Sequence, residues 1–210
     1  MQKLHLYLVR HGESQGNATG DYSTLASDAL SALGHVQARH LARALSALTV
    51  DLVIVSPLQR ALQTVAPYLV QSDQRAQVWP EVAEVPFYGE RDDIAESWTV
   101  QPAELPAELP DRYDFHGGRA IRPAPNEPLG QGLHRVDVAR RRLLALAEQT
   151  PMTILVVSHG HFLRELINSL FATPQIIFFH HDNCGMSSII RQDTWAVEYL
   201  NVPTGPRSQP

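Results

Sequence analysis

A single cysteine, Cys184, is all the thiol chemistry in these 210 residues. That excludes an internal disulfide and any cysteine-rich metal centre. Lysine is as scarce: Lys3 stands alone, and every other fixed positive charge is arginine. Arginine suits a two-point grip on phosphate or carboxylate, although genome composition accounts for most of such a bias. No stretch reaches the roughly 18 apolar residues of a membrane span. The N-terminus lacks the basic-then-apolar layout of a secretion signal, so a cytoplasmic location is expected. An excess of positive charge is missing too, with 17 Lys and Arg against 22 Asp and Glu. A net charge of −5 argues against nucleic acid or an anionic membrane as the main partner, and any anion site must be local. Internal repeats and low-complexity segments are absent. The length suffices for one α/β domain with a full core.

What is there begins with Leu4 to Asn17, LHLYLVRHGESQGN. Leu4, Leu6, Leu8 and Val9 make a short core strand, which breaks into Arg10-His11-Gly12-Glu13-Ser14. Ligand sites of open α/β sheets lie just outside the carboxyl ends of strands. Gly12 and Gly16 let the backbone turn sharply and approach a ligand closely. Asp21 to Asp28 is polar and loop-like. Leu30, Leu33, Gln37, Leu41, Leu45 and Leu48 then recur at helical spacing, with Ser31 as N-cap. Gly34 inside this helix costs about 1 kcal/mol against alanine, which the close approach of another element would explain.

Leu52 to Val55 is a continuous apolar run, as in a buried parallel strand. Ser56-Pro57 reads as an N-cap followed by the first helical residue, placing Arg60 in the first turn. Val78-Trp79 is read as a short edge strand. Eight prolines fall between Pro80 and Pro128, too many for sheet interior. That stretch is read as a lid over the site, with short helices near Ile94 to Val100. Helical spacing returns from Leu133 to Leu146. Thr153 to Val157 is a third buried strand, ended by Ser158-His159-Gly160-His161, with a helix from Phe162 to Leu170. Ser187 to Ile190 and Trp195 to Leu200 form a terminal strand pair. The expected architecture is α/β, a three-layer sandwich: one domain over 1–202, a mostly parallel sheet with helices on both faces, a lid at about 80–128, and a loose tail at 203–210.

Three strand ends followed by helices share one edge of such a sheet, and helix N-termini point free N–H groups into that space. Arg10, His11, Arg60 and His159 added there make a pocket for a dianion, with phosphate the obvious candidate. An unprotonated His11 nitrogen can attack phosphorus and form a phosphohistidine, provided a backbone acceptor on the other nitrogen fixes the tautomer. Arg10, Arg60 and His159 would hold the equatorial oxygens. A proton donor must serve the leaving alkoxide.

Four ordered segments carry a resemblance. They are Arg10-His11-Gly12, the Asp28 to Ala38 helix entry, Ser56-Pro57-Leu58-Gln59-Arg60-Ala61-Leu62-Gln63-Thr64, and Ser158-His159-Gly160. Together they span about residues 4 to 170 and resemble the histidine phosphatase superfamily, also called phosphoglycerate mutase-like. The resemblance implies a phosphohistidine mechanism with no metal and no cofactor. It adds Asn17 as a phosphate contact, and Gly12 and Gly160 join it as substrate-binding positions. It also implies a proton-donating glutamate, matched by Glu84 in Val82-Ala83-Glu84-Val85-Pro86-Phe87-Tyr88-Gly89. This segment carries one residue more than the family pattern between glutamate and glycine, and Glu81 is the fallback. A proline-glycine-glutamate-serine segment of the family is faintly echoed by Asn126-Glu127-Pro128.

Blander roles compete at several positions. His161 reads as a satisfied surface histidine before a lining residue. His180-His181-Asp182 is a poor metal site, because adjacent strand residues face opposite ways. Gly117-Gly118-Arg119 and Arg122 divide evenly between lid surface and a contact to a substrate's distal acid. Met186 and Phe178-Phe179 read as core. The expected activity is hydrolysis of a small phosphate monoester. A phosphoglycerate mutase is the nearest alternative, but Gly16 stands where those enzymes carry tryptophan. A non-catalytic phospho-ligand binder is the other class. The substrate's identity is not legible, and the oligomeric state is open, a homodimer being one form compatible with the sequence.

Overall fold

The computed structural model describes residues 4–23, 28–87, 89, 94–105 and 108–208. Parts of the expected 21–28 loop, of the 80–128 stretch (Tyr88 included) and of the tail lie outside the described residues. A seven-stranded sheet runs in the order β5-β3-β2-β7-β1-β8-β9. Its strands are β1 (Leu4–Arg10), β2 (Leu52–Val55), β3 (Ala76–Val78), β5 (Tyr113–Phe115), β7 (Met152–Ser158), β8 (Gly185–Arg191) and β9 (Trp195–Pro203). The first five are mutually parallel, and β8 and β9 add antiparallel on the β1 side. A separate antiparallel pair joins β4 (Val100–Pro102) to β6 (Ile121–Pro123).

Side chains alternate across a strand, and that alternation splits the core. Leu4, Leu6 and Leu8 face one way and pack with Phe162, Leu163 and Leu166 of α5 (Gly160–Phe171) and Val136 and Leu143 of α4 (Leu129–Gln149). Tyr7 and Val9 face the other way, toward Leu41 and Leu45 of α2 (Ala32–Leu45) and Leu62 and Val65 of α3 (Gln59–Ser72). The short α1 (Gln15–Thr19) follows β1 directly. The arrangement is the expected α/β sandwich, mostly parallel with helices on both faces.

Several local expectations change. Ser31 caps α2, accepting from the Gly34 N–H at 3.0 Å. α3, however, begins at Gln59 rather than Pro57, and the Gln59 N–H is met by Asp28 Oδ2 at 2.8 Å. Ser56 Oγ accepts from Leu58 N at 3.2 Å and also faces His159. Val78 does not end at an edge, because β5, drawn from the proline-rich stretch, pairs with β3 and forms the sheet border. A border strand needs only one side of its hydrogen bonds met, so proline nearby is tolerated. The short helices expected near 94–100 are absent among the described residues: 94–99 is irregular and Val100 opens β4. After Val202, Thr204 Oγ1 donates to Cys184 O at 2.8 Å, and Pro206 O accepts from Gln37 Nε2 at 3.0 Å.

Candidate active site

Three adjacent central strands end level with one another. Arg10 pairs with Ser158 and Val55 with Val157, so His11, Ser56 and His159 emerge side by side. A cavity of about 520 Å³ opens there. Of the candidate catalytic and substrate-binding positions, it is lined by Arg10, His11, Asn17, Arg60, Glu84 and Gly160.

His11 is 3% exposed. Its Nδ1 lies 2.7 Å from Gly12 O, and its Nε2 lies 3.1 Å from Arg60 Nε. A carbonyl only accepts and a guanidinium only donates. Nδ1 therefore carries the proton and Nε2 keeps its lone pair. Burial first, then the charges of Arg60 and Arg10, hold this imidazole well below its usual pKa, so it is neutral at pH 7. The turn beneath it is held at successive atoms. His11 N donates to Ser158 O at 2.8 Å, and His11 O accepts from Asn183 Nδ2 at 3.0 Å. Gly12 N donates to Thr64 Oγ1 at 2.8 Å, and Glu13 N to Gln37 Oε1 at 2.8 Å. A Cβ on Gly34 would stand 2.0 Å from Glu13 O, which is the close approach that its place in α2 called for.

Arg60 is aimed by Asp28, whose Oδ1 pairs with Nη1. Arg10 donates from Nη1 to His181 O at 2.6 Å, and its buried Nε has no partner among the described residues. His159 stands behind the cavity wall, fully buried, with its ring 5.1 Å from that of His11. Ser56 Oγ accepts from Leu58 N at 3.2 Å and lies 2.7 Å from His159 Nε2. His159 Nδ1 is buried with no hydrogen-bond partner among the described residues. Burial and the nearby arginines keep this ring neutral as well. Buried polar atoms without partners call for an explanation, and an anion held against His11 supplies one.

The remaining expected residues divide. Asn17 lines the cavity, donating to the Tyr22 hydroxyl at 3.0 Å and closing the capping box of Ser14. Gly160 packs on Arg10, where a Cβ would lie 3.6 Å from Nε. Gly12 lies below the cavity with its N–H taken by Thr64, so its smallness serves the contact with Gly34 O, 2.9 Å from where a Cβ would be. Glu84 reaches the cavity, its Oε1 accepting from Phe162 N and Val85 N, both at 3.0 Å. Glu81 does not line it and instead pairs with Arg142 at 2.6 Å.

Two blander readings are overturned. His161 is a buried lining residue, with Nδ1 on Val85 O at 2.9 Å and its ring stacked on Phe87. Phe178 is 64% exposed at the rim rather than core. Arg119 and Arg122 are not among the described residues lining the cavity. Asp28, Ser56 and Thr64 were overlooked as supports, although each is a letter of the quoted motifs. Tyr22 and Arg164 carried no sequence signal, Phe87 stood only as a letter of the Glu84 segment, and His180 and His181 were read only as a poor metal pair; folding gathers all five. Among the described residues no group of three or more His, Cys, Asp or Glu is placed to hold a metal ion.

A family model described as histidine phosphatase superfamily (branch 1) matches residues 6–203. An adenosylcobalamin/alpha-ribazole phosphatase of Escherichia coli K12 is 32% identical over 204 residues, covering 94% of this chain and 96% of that protein. The solved alpha-ribazole phosphatase of Shigella flexneri matches with a TM-score of 0.69 at 28% identity, covering 95% of this chain and 96% of that one. A phosphoserine phosphatase of Entamoeba histolytica matches in fold, with a TM-score of 0.64 at 22% identity over 95% of this chain and 97% of that one.

Proposed function

We infer, since this chain belongs to the histidine phosphatase superfamily, that it is a phosphomonoesterase working through a phosphohistidine at His11. The observation that carries this is the tautomer of His11, protonated on Nδ1 with Nε2 unprotonated between two arginines. In the first half-reaction the Nε2 lone pair attacks phosphorus and the P–O ester bond breaks. Glu84 gives its proton to the departing alkoxide. Arg10, Arg60 and His159 meet the charge on the transferring group. In the second, water attacks the phosphohistidine, its proton returns to the Glu84 carboxylate, the P–N bond breaks and inorganic phosphate leaves. Asn17 and Gly160 border the bound phosphate. No cofactor enters this scheme.

For the substrate we propose α-ribazole phosphate or a similar nucleotide-like ester with a flat base. Two relatives named for alpha-ribazole cover nearly the whole chain. Phe87, Phe178, Phe179 and the imidazoles of His161 and His180 border the cavity beyond the phosphate end, and rings of this kind favour stacking on a planar group.

The test is a quench of the enzyme turning over 32P-labelled ester. Acid-labile, base-stable label is expected on the parent and none on His11→Ala. Label retained by His11→Ala would sink the mechanism. A preference for phosphoserine over α-ribazole phosphate would sink the substrate alone.

A further inference from the structure

Arg135 on α4 has a side chain that is 0% exposed. A buried charge is tolerated only when paired and fully hydrogen-bonded. All five of its N–H donors are met. Nε donates to Glu127 Oε1 at 2.7 Å, and Nη2 to Glu127 Oε2 at 2.5 Å and to Glu84 O at 2.8 Å. Nη1 donates to Glu81 O at 3.0 Å and Ala83 O at 2.9 Å. Glu127 neutralises the charge, and the other three donors all hold one short segment.

Two further side chains complete that grip. Ser158 Oγ donates to Val82 O at 2.6 Å, and His161 Nδ1 bonds to Val85 O at 2.9 Å. Five consecutive carbonyls, 81 to 85, are thus held by side chains from α4, the end of β7 and α5. Residues 83–85 lie in neither helix nor strand, so no backbone ladder would fix them otherwise. Glu84 is the member of this run that reaches the cavity. The approach of α4 is tight: a Cβ on Gly132 would come within 2.9 Å of Pro86 Cδ and Val85 Cγ1.

We propose that Arg135, clamped by Glu127, is a positioning residue that sets where the Glu84 carboxyl stands relative to the departing ester oxygen. This rests on Glu84 being the proton donor. The fixed fork of a guanidinium holds three carbonyls in one geometry, which the single flexible ammonium of lysine does not. Misplacement of a catalytic group by about 1 Å can cost on the order of a hundredfold in rate.

The test compares kcat/KM on p-nitrophenyl phosphate, whose leaving anion needs little protonation, with kcat/KM on the alkyl phosphate the parent hydrolyses fastest. Glu84→Gln is expected to lose roughly a hundredfold or more on the alkyl ester and far less on the aryl ester. Arg135→Lys and Glu127→Gln are expected to repeat that bias, with a loss at least about tenfold larger on the alkyl ester. Combining either with Glu84→Gln should add no further bias, as for groups acting through one another. The ratio is taken within one preparation, so partial unfolding cancels. Should Arg135→Lys fail to fold, Glu127→Gln and Gly132→Ala carry the same reading. Equal losses on both esters in these variants, with the bias intact in Glu84→Gln, would overturn the positioning role alone. Absence of bias in Glu84→Gln itself would overturn the proton-donor assignment beneath it.

Discussion

His11 shows how little room the site leaves its own nucleophile. One nitrogen is committed to the carbonyl of the next residue and the other to Arg60, so the reactive tautomer is selected before any ligand arrives. Arg60 in turn depends on Asp28, which pairs with its guanidinium and also caps the helix that bears it. Asp28→Asn keeps the cap acceptor and removes the charge. It is expected to lower kcat/KM by about tenfold, the scale of a lost charge-assisted hydrogen bond, with little change in melting temperature. Steady-state kinetics beside a thermal melt check both halves. The letters at this scale were legible: arginine, histidine and the two later motif segments named the residues. Their partners were not, because Ser56 and Thr64 acquire roles only from a ring nitrogen 103 positions away and a backbone N–H 52 positions away.

At the scale of elements, strands and long helices followed from periodicity, whereas ends and borders did not. α3 starts two residues later than its Ser-Pro pair suggests, because Asp28 offers a better acceptor and Ser56 is wanted by His159. The proline-rich stretch supplies a sheet border, which no local pattern announced. Gly34 was legible as an anomaly within α2, and the contact that explains it comes from the turn after β1. Gly34→Ala drives a Cβ to 2.0 Å from Glu13 O, so the helix and the loop bearing His11 must part. A loss of about 1–3 kcal/mol is expected, typical of overpacking, and urea denaturation measures it. Activity should fall with it, since Glu13 N is one of the atoms anchoring that turn.

Across the whole molecule, burial of imidazoles ties stability to pH. His11 and His159 lie well below their usual pKa, and His181 is lowered to about 4, all chiefly by burial. Each is harder to protonate folded than unfolded. The stability they contribute is therefore complete above the unfolded value near 6.5 and is lost as pH falls below it. For His181 the window runs from about 6.5 to about 4, and the stake is on the order of 3 kcal/mol. Urea unfolding at pH 7.5 and 5.0 should show the parent weakening in acid, and His181→Gln weakening less. An equal acid slope in both would remove His181 from the account.

The sequence by itself determined the strand-turn-helix rhythm, the sandwich, and the identity of the groups gathered at three strand ends, because those signals are local: a period of two, a period of 3.6, and short motifs at turns. Only the tertiary structure decided which carboxylate faces the cavity, which rings border it, and that Arg135 grips the segment carrying Glu84. In the string of letters, Glu84 stands ahead of Glu81 only through an imperfect resemblance. What separates them is that Arg142, 61 residues downstream, takes the Glu81 carboxylate while that of Glu84 reaches the cavity, and contacts of that reach leave no periodic trace in the chain that makes them.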